Sequence, residues 1–236
     1  MQSTAIRLVR DRHGLRLLQH GVLISDLRTV ARPTHGLYDI LAALALVATD
    51  VPPHSIVLLG FGAGGILAPM KALGWNGDLI AVDTDPSGHE LFRRECPAWQ
   101  ERVHWTQADA VDWLGRQRRC FNLLIEDLSI SEAGDVEKPE ATWNRLPGLI
   151  RGRLAPGGVA IFNLLKPSGE TWRQGLDAVG DGFPQRRLVH LEDYENRLLV
   201  AGGAVPDATN LSVRTRRALR SMGSRQADRF RVETPR

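Results

Sequence analysis

Residues 55–65 read SIVLLGFGAGG and residues 78–86 read DLIAVDTDP. The first stretch is an apolar run that stops at a glycine cluster. The second is another apolar run closed by a carboxylate, Asp83, 23 residues after Gly60. Glycines between a strand and a helix let the chain turn sharply and bring backbone amides against a ligand. An acid closing the next strand can accept from both hydroxyls of a ribose. Gly60, Phe61, Gly62 and Gly64, with Asp83 and the adjoining Thr84, are therefore the candidate adenosine site. The string also fits GxGxxG through Gly60, Gly62 and Gly65, which keeps a nicotinamide dinucleotide open as an alternative ligand.

Working outward, the same rhythm of strand and helix continues. Helices are expected from about Gly64 to Leu73, from Pro86, over Ala110–Arg116, around Ala141–Leu154 and near Gly169–Val179. Strands are expected at 102–107 (RVHWTQ), 121–127 (FNLLIED), 159–165 (VAIFNLL), 185–191 (QRRLVHL) and 196–202 (NRLLVAG). Alternation of this kind implies an α/β fold, a Rossmann-like, mostly parallel sheet with helices on both faces. Only EDYE separates the last two strands, enough for an antiparallel hairpin and too little for a crossover helix. Before the glycine loop, THGLYDILAALALVATD predicts a helix of about four turns starting near Thr34. The first thirty residues alternate short apolar runs with turn signals and read as small antiparallel strands. The expected organisation is a β-hairpin region over 1–33, a Rossmann-like domain over 34–204 and a basic helix or tail over 205–236.

Composition narrows the function classes. The chain has 236 residues, 43% apolar and 24% charged, which suits a globular protein and argues against disorder. The longest apolar run, Ile40 to Ala48, is less than half the ~20 residues needed to cross a bilayer, and the N-terminus lacks an apolar signal core. A cytoplasmic protein is the expectation, with Cys96 and Cys120 as thiols. The net charge of +3 divides unevenly, because Ser212–Arg236 carries eight arginines against two acids. That segment suggests either nucleic-acid contact or a C-terminal helix with a solvated face and a frayed end. The histidines, His20, His35 and His54 among them, show no metal-ligand spacing, so no metal is expected. A GxSxG elbow and a P-loop are both absent from the sequence.

Two further acids stand at strand ends. Asp109, in QADAVDWL, precedes a helix beside Ala110, where one carboxylate oxygen can cap the helix and the other can accept from an adenine amino group. Asp127 ends the fourth strand, at the edge where open α/β sheets bind ligands, and could orient or deprotonate an acceptor. Glu126 should face the other side of the strand. The following loop holds Glu132, Asp135, Glu137 and Glu140 against Lys138 and reads as an acidic cover that would attract a cationic acceptor.

Five strand–helix steps ending in an antiparallel pair resemble the class I S-adenosylmethionine-dependent transferases. Within them, roughly Ile6–Gly202 is similar to the spermidine synthase family. LRLLQHGVLISDLRTVARPTHGLYDILAALAL looks like the family's hairpin and tyrosine-bearing helix, with Tyr38 at the tyrosine position. VLLGFGAGG, AVDTDP, ADAVDWL and FNLLIEDLS look like its glycine loop, ribose acid, adenine-side acid and catalytic-strand acid. The resemblance implies an S-adenosylmethionine-type cofactor, whole or decarboxylated. It gives Asp83 to ribose, Asp109 to adenine, Tyr38 to substrate and Asp127 to catalysis, and it implies a homodimer. Three positions depart from the family pattern: Ala63 and Ile130 replace acids, and Ile24 replaces a glutamine. The expected function is thus methyl transfer to a small, cationic acceptor, with aminopropyl transfer aided by Asp85, Glu132 or Asp135, or a non-catalytic binding role, as alternatives.

Overall fold

The computed structural model describes residues 6–11, 14–19, 22–132 and 135–235; His20, Arg236 and the Glu132 and Asp135 side chains lie outside the described part. Strands β1 (Ile6–Asp11), β2 (Gly14–Gln19) and β3 (Val22–Leu27) form an antiparallel sheet in chain order. Its alternation turns Leu15, Leu17 and Leu27 into the main core. Helix α1 (Leu37–Val47) follows, three turns instead of four. The helix starts late because His35 adopts φ 63° and residues 34–36 fold back onto Asp39. Thr34 donates to Asp39 Oδ1 through its amide at 2.7 Å and its hydroxyl at 2.8 Å, and the His35 amide donates to Oδ2 at 2.9 Å.

The α/β unit comprises β4 (Ser55–Leu59), α2 (Leu67–Ala72), β5 (Asp78–Asp83), α3 (Ser87–Glu95), β6 (Val103–Gln107), α4 (Ala110–Arg116) and β7 (Phe121–Glu126). A small ribbon, β8 (Ile130–Glu132) and β9 (Asp135–Glu137), leads into α5 (Ala141–Asn144) and α6 (Leu146–Arg151). Then come β10 (Leu154–Leu164), α7 (Trp172–Gly180), β11 (Gln185–Leu191), β12 (Arg197–Gly202), α8 (Ala208–Ser221) and β13 (Phe230–Glu233). Sheet order is β13-β11-β12-β10-β7-β4-β5-β6, parallel from β10 through β6 and antiparallel at β12, β11 and β13.

Parallel strands covered on both faces read as continuous apolar runs. Ile56 and Leu58 of β4 face the layer containing α1, α2, α3 and α8, whereas Val57 and Leu59 face α4, α6 and α7. Differences from the sequence reading have local causes. The helix expected over 141–154 is two short ones, because Pro147 in the first turn of α6 lacks an amide to continue α5. The APGG turn is an irregularity inside β10, whose register with β7 shifts between Leu154 and Val159. The segment after α8, expected to fray, instead adds β13 to the sheet edge. Among the described residues no helix is long and apolar enough to cross a membrane.

Candidate active site

The carboxyl ends of β4, β5, β6, β7 and β10 share one edge of the sheet, and the three acids expected from sequence, Asp83, Asp109 and Asp127, stand there with the glycine loop. Gly60, Gly62 and Gly64 hold φ values of 89°, 53° and 74°, a region L side chains avoid. Close approach is the second reason for glycine here. A Cβ on Gly60 would stand 2.4 Å from the Asp127 carbonyl oxygen, so the glycine loop lies directly against the β7 end. A Cβ on Gly88, in the first turn of α3, would stand 1.5 Å from the Gly62 carbonyl oxygen. Sequence reading passed over Gly88, whose only signal is a glycine at a helix start.

Asp83 Oδ2 accepts from the amides of Phe61 at 2.8 Å and Gly62 at 3.0 Å, and Oδ1 accepts from the Asp85 amide at 3.1 Å. The acid therefore shapes the loop it would serve. The buried amides of Ala63 and Gly65 donate to no other described residue. Buried N–H groups are nearly always paired, so these two are available to donate to a ligand. The cradle thus fits the adenosyl group expected from sequence. Thr84 is exposed beside Asp83, and its carbonyl accepts from Gln107 Nε2 at 3.1 Å, tying the β5 and β6 ends together. Asp109 Oδ1 caps α4 by accepting from Val111 at 2.8 Å and Asp112 at 3.1 Å, which leaves Oδ2 for another donor. Ala110 is buried beneath it.

Asp127 sits one residue beyond β7, and its amide donates to the Leu59 carbonyl at 2.8 Å. Its Oδ1 accepts from Asn163 Nδ2 at 2.6 Å, and Asn163 Oδ1 in turn accepts from Asn196 Nδ2 at 2.9 Å. Burial raises the Asp127 pKa to about 6, opposed by the Lys138 charge and the Asn163 hydrogen bond and reinforced by Glu126 and Asp83. The Asn163–Asn196 link was missed from sequence, although an asparagine inside the apolar strand VAIFNLL is a readable signal. Tyr38 underlies the loop: a Cβ on Gly65 would meet its ring at 2.7 Å, and its hydroxyl donates to the Ile24 carbonyl at 2.9 Å. Burial and the Asp127 charge both raise the Tyr38 pKa.

Glu126 does point away from Asp127, as expected, and Lys138, set against the loop acids in the sequence, turns inward instead of toward them. Lys138 is buried, paired with Glu126 at 2.9 Å and donating to the Leu128 carbonyl. Glu126 also accepts from Thr142 at 3.0 Å and the Leu128 amide at 3.2 Å. Of the loop acids, Glu137 is exposed and Glu140 accepts from Asn144 at 2.8 Å. No group of three or more metal-ligating side chains occurs among the described residues.

This sheet order, with its antiparallel ending and N-terminal sheet, is the class I methyltransferase fold in the form found in spermidine synthases. A probable spermidine synthase from Corynebacterium glutamicum superposes with TM-score 0.75 at 18% identity, over 96% of this chain and 86% of that one. Human methyltransferase-like protein 13 in complex with SAH gives 0.60 at 19% identity, over 78% and 90%. A spermidine synthase in complex with the transition-state analogue AdoDATO gives 0.65 at 11% identity, over 96% and 78%. No family model and no curated protein matches the chain by sequence.

Proposed function

We propose that the protein is a transferase that takes a group from S-adenosylmethionine, most economically the methyl group. The observation that carries this reading is the contact between the glycine loop and Asp127. One bound molecule in the cradle would present its reactive end toward Asp127, whose pKa burial raises to about 6. The solved neighbours that hold SAH and AdoDATO support an adenosyl sulfonium as the donor. Open amides at Ala63 and Gly65, the Asp83 carboxylate and the spare oxygen of Asp109 supply the nucleoside contacts.

When bound, the sulfonium supplies an electrophilic carbon. An acceptor heteroatom held against Asp127 gives its lone pair to that carbon, the carbon–sulfur electron pair stays on sulfur, and the acceptor's proton passes to the Asp127 carboxylate. A carboxylate with a pKa about 6 is mostly ionised at neutral pH and still basic enough to receive it. Bringing donor and acceptor into line supplies much of the remaining acceleration.

Methyl transfer is favoured over aminopropyl transfer because Ala63 leaves the glycine loop without a counter-charge for an aminopropyl amine, and Asp85, one of the acids that could replace it, is already engaged. Ala63 is fully buried and apolar, and Asp85 accepts from the Ser87 amide at 2.9 Å. Calorimetric titration with S-adenosylmethionine, decarboxylated S-adenosylmethionine, methylthioadenosine and NAD tests the reading. Preference for S-adenosylmethionine, weakened at least about tenfold by Asp83→Ala, is the expected result. Preference for the decarboxylated donor would establish aminopropyl transfer instead, and binding of none of them would leave a non-catalytic protein.

A further inference from the structure

A cavity of about 420 Å³ opens on the same edge of the sheet, between the end of β10, the start of α7 and the β11–β12 turn. Lys166, Trp172, His190, Tyr194, Glu195 and Arg197 line it. Asn196 lines it too, and the Asn196–Asn163–Asp127 hydrogen bonds join its wall to the candidate catalytic carboxylate.

The charges in this cavity are not balanced. His190 is paired with Glu233 at 2.8 Å, and Glu233 is also held by Arg231. Of the acids in the turn, Asp193 is bound by Arg229 at 2.6 Å. The Arg197 guanidinium carbon lies 4.3 Å from the centre of the Trp172 ring, and the guanidinium makes no ion pair or hydrogen bond with any other described residue, Glu233 acting on it only through its more distant charge. It is half-buried, and burial lowers its pKa. Lys166, exposed at the rim, has no acidic partner among the described residues either. Glu195 is the one carboxylate of the lining, and it is exposed. A guanidinium stacked on an indole keeps its edge donors in a fixed plane, the arrangement that suits two-point binding of a carboxylate.

We propose that this cavity is the acceptor subsite and that the acceptor is a small molecule carrying a carboxylate, held by Arg197 and Lys166 with its reacting amine or hydroxyl toward Asp127. The inference rests on the transferase reading and changes its acceptor from a cation, as the acidic loop suggested, to an anion-bearing molecule. A diamine would place like charge beside Arg197 and Lys166.

The test is calorimetric titration of the full chain, saturated with S-adenosylhomocysteine, with γ-aminobutyrate, phenylacetate and putrescine. The wild type is compared with Arg197→Gln and Lys166→Gln. The expected result is binding of at least one carboxylate and not of putrescine, weakened roughly tenfold or more by Arg197→Gln and less by Lys166→Gln. Tighter binding of putrescine, binding of neither carboxylate, or carboxylate affinity unchanged in both variants would overturn the proposal. S-adenosylhomocysteine affinity should be the same in all three proteins. If Arg197→Gln loses it through misfolding, the exposed Lys166→Gln decides the question. Failure of the wild type to bind S-adenosylhomocysteine would overturn the transferase reading instead, and the carboxylate titration, run without it, would still decide the charge preference of the cavity.

Discussion

In the proposed reaction Asp127 receives the acceptor's proton, and its raised pKa has two consequences of opposite sign. An unfolded aspartate titrates near 4, whereas in the folded chain this one holds its proton to about pH 6. Between those values the unfolded chain has already lost the proton that the folded chain keeps. The stability contribution is therefore fully present below about pH 4 and is lost as pH rises through about 6. Asp127→Asn should then be more stable than wild type at neutral pH by about 1–2 kcal/mol, with a smaller difference near pH 4.5. Transfer should fall in the same variant by about a hundredfold or more, and the wild-type rate should rise with pH through an apparent pKa near 6. Denaturant unfolding at the two pH values and a pH–rate profile check both. An unchanged rate in the variant would remove Asp127 from the reaction.

At the scale of elements, the β7 end is held from behind by an ion pair. Glu126 is fully buried on the far side of the strand from Asp127, and Lys138 reaches it from the end of the β8–β9 ribbon while also binding the Leu128 carbonyl. Burial raises the Glu126 pKa, and Lys138, Thr142 and the Leu128 amide oppose that rise. Removing one member of such a pair strands the other, at about 3–5 kcal/mol, whereas replacing both can be nearly neutral. Lys138→Met should destabilise the protein by about that amount, and Glu126→Gln combined with Lys138→Met should recover most of it. Urea unfolding of the two single variants and the double one makes the comparison, and additivity of the single effects would refute a coupled pair. This is also where sequence reading reached its limit. The strands were legible because burial on both faces makes them continuous apolar runs, and Gly60, Asp83 and Asp127 because each falls where such a run stops. Lys138 lies in a polar loop with four acids, and nothing in that string distinguishes a solvated lysine from one folded inward. Asn163 carried a signal, a polar residue in an apolar strand, but its partner Asn196 comes from a turn 33 residues later. Pairings made by the fold between distant segments have no local periodicity to reveal them.

The C-terminal segment shows the same limit for the whole molecule. Its arginines suggested nucleic-acid contact or a helix with a solvated face and a frayed end, yet Arg214 pairs with Asp50 at 2.9 Å, Arg220 with Asp228 at 2.8 Å and Arg229 with Asp193 at 2.6 Å. β13 closes the sheet beyond β11. Deeper in, Ser224 Oγ donates at 2.5 Å to Asp39 Oδ2, and Gln226 Nε2 donates to the His35 carbonyl at 3.0 Å. Asp39 is fully buried, and the bonds described to its carboxylate come from Thr34, His35 and Ser224. The last segment thus secures the loop that starts α1, the helix that carries Tyr38 under the glycine loop. Exposed ion pairs contribute little each and are screened by salt, but a hydrogen bond to a buried carboxylate contributes about 1.5–3 kcal/mol. Ser224→Ala should therefore lower the melting temperature by roughly 4–8 °C, with no relief at high salt, whereas Arg220→Ala should change it by no more than about 2 °C. Thermal unfolding at low and high ionic strength distinguishes the two contributions. Equal effects of the two substitutions would mean that charge at the surface, and not the buried Asp39 bond, holds this segment to the core.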